Sequence, residues 1–353
     1  MKRSILLFLL MFGLFSQLRA EVNFLRGPLA EALKKAGAEK KPVMIDFITD
    51  WCRWCDTLER NTYSDEGVAG FINANLVPIK IDAEKGEGIG IAKEYGVHAY
   101  PTILLVHADG QEIDRLLGYM PPEPFMKSLR DYVRGENTLA SLKAALERSP
   151  ADPQAQYLVG KKYSAREDPA GAEPYFRKLL QLDPSDRLHH AEEAHYSLAM
   201  NALHQSKDTG PLTGFVKHYP ESPMAGDALS SLVSFSIKQK KGKEARRYLE
   251  EYLARTPDDF SIMNNYAWNC AEQMINLDHA AEIAARAVTL TKSDGDKAMV
   301  LDTEAAVEFA RGRRDEAIAL EEQAVGLLKN ANPKQRKPYD EALEKYRGKT
   351  AAQ

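Results

Sequence analysis

Cys52 and Cys55 stand three positions apart in DFITDWCRWCDTL, residues 46–58, each beside a tryptophan and just after an apolar, β-rich run. Such a pair can supply half a metal knuckle, close a small structural disulfide, or cycle between dithiol and disulfide. Zinc asks for four ligands, and here there is no second cysteine pair, only distant histidines such as His98 and His107. A permanently closed bridge over so short a spacing constrains a tiny loop and stabilises little. Redox cycling has local support. If a strand ends at Ile48 and a helix opens at Cys52, unpaired N–H groups and the positive end of the helix dipole stabilise a thiolate at Cys52, and Arg53 adds a full charge beside it. Cys52 could then attack a substrate disulfide, and Cys55, one turn in and expected to be the more buried, could displace it from the mixed disulfide.

The compartment fits that chemistry. Lys2 and Arg3 precede the apolar block ILLFLLMFGLF, and Ala20 offers a small residue before the polar Glu21, so residues 1–20 read as a secretory signal peptide. The block is too short to span a bilayer, and an uncleaved signal would leave a membrane anchor. Beyond it no apolar run approaches transmembrane length. Export implies an oxidising compartment, where a structural disulfide framework would show several cysteines in even number; this chain has three, one functional pair and the remote Cys270. Without Lys2, Arg3 and Arg19, the 47 basic residues fall to 44 against 51 acidic, a charge of −7, and nothing asks for nucleic acid.

The elements that must position the cysteines follow from periodicity. LAEALKKA, 29–36, is helical; PVMIDFI, 42–48, and LVPIKID, 76–82, are short strands, the second with Val77, Ile79 and Ile81 on one face. Ser64 can cap a helix whose first turn holds Asp65 and Glu66. PTILLVH, the turn ADG and EIDRLLG read as a hairpin, and a helix over 122–134 closes an α/β sandwich. From about residue 136 strand signals vanish and a period of 34 residues emerges. Val159, Gly160, Tyr163, Ala172, Phe176 and Pro184 occupy fixed slots of one frame; Val233, Ala245, Leu249, Tyr252 and Pro257 fill another; Ala267, Ala280, Ala284 and Ala287, then Ala305, Ala317 and Ala324, continue the series. Small residues let paired helices approach while aromatics fill the gap to the next pair.

On these motifs, residues 42–134 resemble the thioredoxin superfamily, and WCRWC, NTYSDEGV and NLVPIKID are most similar to exported bacterial thioredoxin-like proteins carrying C-x-W-C. The later frames resemble tetratricopeptide repeats. The first resemblance implies that Asp46 is a buried acid accepting the Cys55 proton, that YGVHAYPTILLVHADGQEIDRLLGY, 95–119, is the second signature, that Pro101 is a cis-proline facing the cysteines, and that Tyr100 offers backbone groups to a substrate strand. Arg53-Trp54 replaces the Gly-Pro of thioredoxin and the histidine of strong oxidants, which points toward a reductant or an isomerase-like protein. Lys80 lies on the polar face of the second strand.

The expected architecture is an α/β thioredoxin-like domain followed by an all-α tetratricopeptide solenoid: signal 1–20, redox domain 21–135, helical linker 136–152, about five repeats over 153–331, and a capping helix and tail over 332–353. The expected activity is thiol–disulfide exchange by Cys52, Cys55 and Asp46, with Trp54, Tyr100 and Pro101 docking substrate. No metal or dissociable cofactor enters. Its partners are protein thiols and disulfides, a dithiol electron donor or acceptor, and a protein or peptide bound by the repeats, in the periplasm or outside the cell. The rival is an interaction or chaperone-type repeat protein with a low-turnover redox sensor. Trp51 reads as apolar cover, Cys270 as a buried inert thiol, and Lys161-Lys162 and Lys240-Lys241 as solvated helix ends.

Overall fold

A computed structural model describes residues 21–348; the expected signal peptide and the last residues of the tail lie outside them. In chain order the elements are α1 (Leu29–Glu39), β1 (Val43–Ile48), α2 (Arg53–Leu58) running into a π-helical turn (Glu59–Tyr63), α3 (Glu66–Asn75), β2 (Val77–Asp82), α4 (Gly88–Glu94), β3 (Thr102–Val106), β4 (Glu112–Leu117) and α5 (Pro122–Val133). The sheet order is β2-β1-β3-β4, with β1 and β2 parallel and the other pairs antiparallel. Alternation along the strands gives each face its own core. Ile45, Phe47, Val77, Ile79, Ile81 and Leu104 pack against α1 and α4, while Met44, Ile103, Leu105 and Leu116 pack with Leu58, Tyr63, Ile72 and Phe125.

Two local details differ from the sequence reading. Asp65, not Ser64, caps α3: its carboxylate accepts the Val68 N–H at 2.9 Å, whereas the Ser64 hydroxyl donates back to the Arg60 carbonyl. A carboxylate is the better acceptor where the dipole is positive. α4 is an added helix, and Gly88 at its start is required by proximity, because a Cβ there would lie 2.0 Å from the Asp82 carbonyl oxygen.

The remainder is helical: α6 (Leu139–Arg148), α7 (Pro153–Ser164), α8 (Pro169–Leu182), α9 (Ala191–Ser206), α10 (Gly210–His218), α11 (Pro223–Lys238), α12 (Gly242–Arg255), α13 (Phe260–Gln273), α14 (Leu277–Leu290), α15 (Asp294–Ala310), α16 (Arg314–Leu327) and α17 (Pro333–Arg347). Helices α7 to α16 form successive pairs and α17 follows the last. The repeat frames mark the core: Val233, Ala245, Leu249, Ala267, Ala280, Ala284 and Ala287 are buried in one cluster. At Gly160 a Cβ would meet the Phe176 ring at 2.6 Å, so the α7–α8 contact needs a bare backbone there. Cys270 is fully buried, and burial pushes its thiol up to about 12, as expected of an inert cysteine.

The chain divides into two compact units after Leu188, so the α/β domain and α6–α8 belong to the first and α9–α17 to the second. Lys162 is not a solvated helix end. Its ammonium pairs with fully buried Asp114 of β4 at 2.8 Å, and Arg166, in the turn just after α7, reaches Glu112 and Asp114 at 2.6 and 2.9 Å.

Candidate active site

The chain leaves β1 at Ile48, turns through Thr49–Trp51 and enters α2 with Cys52 as the N-cap. The Cys52 N–H donates to the Thr49 carbonyl at 3.2 Å, and the Cys52 sulfur accepts the Cys55 N–H at 3.1 Å. Cys52 and Cys55 are joined as a disulfide. Their order of burial reverses the sequence expectation: Cys52 is 5% exposed, whereas Cys55 is half-buried. An N-cap side chain folds back over the first helical turn to reach its free N–H groups, which draws the Cys52 sulfur inward.

Both neighbouring tryptophans are exposed, Trp51 by 66% and Trp54 by 61%, so Trp51 is not apolar cover. Its indole N–H donates to both carboxylate oxygens of Glu84, at 3.0 and 3.1 Å, which fixes the ring at the surface. Each tryptophan meets a tyrosine from the far side of the site. Trp51 lies edge-on to Tyr100 with centroids 6.0 Å apart, and Trp54 stacks on Tyr119 at 5.8 Å. Tyr100 precedes Pro101 across a cis peptide bond, and the Pro101 carbonyl accepts the Gly118 N–H at 2.8 Å, tying the two tyrosine-bearing loops together. Of the three residues expected to dock substrate, Trp54 lies within the Cys52–Cys55 turn, and Tyr100, which meets Trp51, leads by its cis bond into Pro101.

Asp46 shares the sheet face of Met44, beneath the helix that begins at the cysteines and on which Leu58 and Tyr63 pack. It is 2% exposed, and its Oδ1 has no hydrogen-bond partner. Burial is the main reason its pKa is raised to about 7; Lys80 opposes the rise, the nearby Tyr63 hydroxyl opposes it less, and Glu59 adds to it. Lys80 stands directly opposite Asp46 in the β1–β2 register, yet its ammonium is paired with Glu59. Lys80 therefore moderates the buried carboxyl without neutralising it. Burial, then the charge of Asp46, hold the Tyr63 phenol well above its usual range.

Glu59, Tyr63, Glu84 and Tyr119 belong to the site but were not named from sequence. A signal existed for two of them: Cys52, Cys55, Glu59 and Tyr63 fall at spacings of three and four, one stripe of a helix. Glu84 carries no local signal, because only the fold brings the end of β2 to Trp51.

A four-stranded sheet with a helix-capping Cys-x-x-Cys disulfide and a cis-proline loop defines a thioredoxin-like domain, and residues 29–132 match the thioredoxin-like domain family. The thiol:disulfide interchange protein DsbD of Escherichia coli K12 is 32% identical over 121 residues, covering 33% of this chain and 21% of that protein. The chain thus matches about a fifth of the length of its curated relatives. Among solved structures, the oxidised C-terminal domain of Neisseria meningitidis DsbD is 28% identical, covering 30% of this chain and 92% of that one, with TM-score 0.27. YrrB, a TPR protein with an unusual peptide-binding site, is 17% identical, covering 56% of this chain and 97% of that one, with TM-score 0.39.

Proposed function

We propose that this protein is an exported thiol–disulfide oxidoreductase of reductase or isomerase-like direction, with a helical array that binds a protein or peptide partner. The observation that carries the reading is the Cys52–Cys55 disulfide capping α2, in a domain 32% identical to part of a thiol:disulfide interchange protein. In the reduced protein the Cys52 thiolate, stabilised at the helix start, attacks one sulfur of a substrate disulfide, and the other sulfur leaves as a thiolate. Cys55 then gives its proton to the Asp46 carboxylate and attacks the Cys52 sulfur, which releases the second substrate thiol. Two electrons pass from the dithiol to the substrate, and a second dithiol protein restores the pair. Trp54, Tyr100 and Pro101 hold the substrate strand. Residues 21–135 carry this chemistry, 136–152 are a helical linker, 153–331 the repeats, and 332–353 a capping helix and tail. Among the described residues no helix is long and apolar enough to cross a membrane. With residues 1–20 removed as a signal, the protein works in the periplasm or outside the cell.

The rival reading, a repeat-based interaction protein with a slow redox sensor, draws on the 5% exposure of Cys52, since a covered sulfur exchanges slowly. One experiment separates them. Cys55→Ser should accumulate mixed disulfides with envelope proteins through Cys52, and Cys52→Ser should accumulate none. Trapping by Cys52→Ser alone inverts the roles. Neither variant trapping, in a wild type that fails to reduce insulin, favours the sensor.

A further inference from the structure

Five charged side chains meet where β4 faces the end of α7 and the turn after it. Asp114, fully buried, accepts the Arg115 and Leu139 backbone N–H groups at 2.8 Å each, Lys162 Nζ at 2.8 Å and Arg166 Nη2 at 2.9 Å. Glu112 is shared by two guanidinium groups: Arg115 reaches it at 2.6 and 3.1 Å, and Arg166 at 2.6 Å. Arg166 is itself fixed by donating to the Lys162 carbonyl at 2.8 Å. One nitrogen of Arg166 therefore spans both carboxylates.

The network does not end at the helices. The Arg115 side chain is buried, and it also donates to the Tyr95 carbonyl at 2.8 Å and the Gly96 carbonyl at 3.4 Å. Those carbonyls sit at the root of the segment that runs from the end of α4 through Val97 to Tyr100–Pro101 and into β3. At its far end Tyr100 meets Trp51, next to Cys52. Glu112 thus has two competing partners, one from the helical region and one that braces the loop of the candidate active site.

We propose that Arg166 is a positioning residue for substrate docking: by holding Glu112 and Asp114 it keeps Arg115 aimed at Tyr95 and Gly96, and so sets the loop that ends in Tyr100–Pro101. The first helix pair after the α/β domain is then part of the enzyme's working scaffold. The element with alternative arrangements is the Arg115 guanidinium. Without Arg166, Glu112 and Asp114 draw it toward themselves, and it leaves the loop carbonyls. Arginine suits this role because a planar fork can span several oxygens at fixed angles, which an ammonium cannot.

The functional arm rests on the oxidoreductase reading; the structural arm does not. In the full-length protein, Arg166→Met should speed amide exchange in residues 95–101 on the order of tenfold and raise the KM for a peptide disulfide by a similar factor, while reduction of a small aromatic disulfide stays unchanged. A merely structural role would leave loop exchange and the peptide KM alone, or would lower both substrates' rates together. Either result overturns the proposal. Should Arg166→Met fail to fold, Arg115→Lys removes the loop contacts while leaving Arg166 on both carboxylates, and must loosen 95–101 in the same way; unchanged protection there also overturns it. If the wild type exchanges with no disulfide at all, the proposed function fails, and the exchange of residues 95–101 still decides the coupling.

Discussion

Asp46 shows how much a single residue can hold against the stability of its own fold. Its carboxyl is buried with one oxygen unpaired and its pKa raised from 3.8 to about 7. Below about pH 4 both folded and unfolded chains carry it protonated. Between there and about 7 the unfolded chain releases the proton and the folded one keeps it, so stability falls as pH rises through this window and levels off above it. A shift of about three units corresponds to a cost of up to roughly 4 kcal/mol at pH 8. Asp46→Asn should therefore be more stable than wild type at pH 8 by as much as that, and nearly equal to it at pH 4. Chemical denaturation across pH 4–8 measures the difference, and a gap that does not widen with pH would show that the carboxylate is better compensated than its geometry indicates. The same substitution should slow release of trapped mixed disulfides, because in the proposed mechanism Cys55 loses its proton acceptor. Stability and turnover should move in opposite directions.

At the scale of elements, the sequence was readable wherever one period and one face agreed. The central strands over 43–48 and 102–106 show as apolar runs buried on both faces, the strand over 77–82 by its apolar alternation and the closing helix by its helical spacing, and the repeat frames mark the small residues at helix crossings. What escaped was set by distance in space. α4 went unread because Gly86, Gly88 and Gly90 look like a loop, although Gly88 is there to let the helix touch the end of β2. Lys162 looked solvated because nothing near it in sequence announces Asp114. Glycines at close approaches give the sharpest test. Gly160→Leu should destabilise the first helix pair by ~1–3 kcal/mol through overpacking on Phe176. In a double-mutant cycle, Gly160→Ala combined with Phe176→Leu should cost less than the two changes summed, because the smaller side chain clears the space. Gly88→Ala has no such remedy, since its clash is with a backbone carbonyl, and no side-chain exchange should rescue it. Additive effects at Gly160, read from denaturation midpoints, would mean that the helices simply move apart.

At the scale of the whole molecule, the chain's chemistry and its compactness divide at different places. The cysteines, Asp46 and Pro101 all precede residue 135, yet the first compact unit runs on to Leu188. The ion cluster lies across the stretch where the two differ. Asp114 is fully buried, and two of its four donors come from beyond residue 135, Lys162 from α7 and Arg166 from the turn after it. Burial presses the Lys162 ammonium toward its neutral form while Asp114 resists, so each charge there depends on its partner. Replacing both cations with apolar residues leaves the buried Asp114 carboxylate with only two backbone N–H donors and whatever Arg115 can supply by leaving the loop, a loss of up to about 3–5 kcal/mol for a broken buried pair. Lys162→Met/Arg166→Met should thus lower the stability of the first unit by that amount, and amide exchange should show the sheet and α6–α8 losing protection together. Adding Asp114→Asn should recover part of the loss by removing the stranded charge, an outcome expected only if desolvation rather than lost packing sets the cost. If α6–α8 loosen while β1, β3 and β4 keep full protection, the α/β domain is cooperative by itself and the cluster is no more than a surface where two independent folds meet.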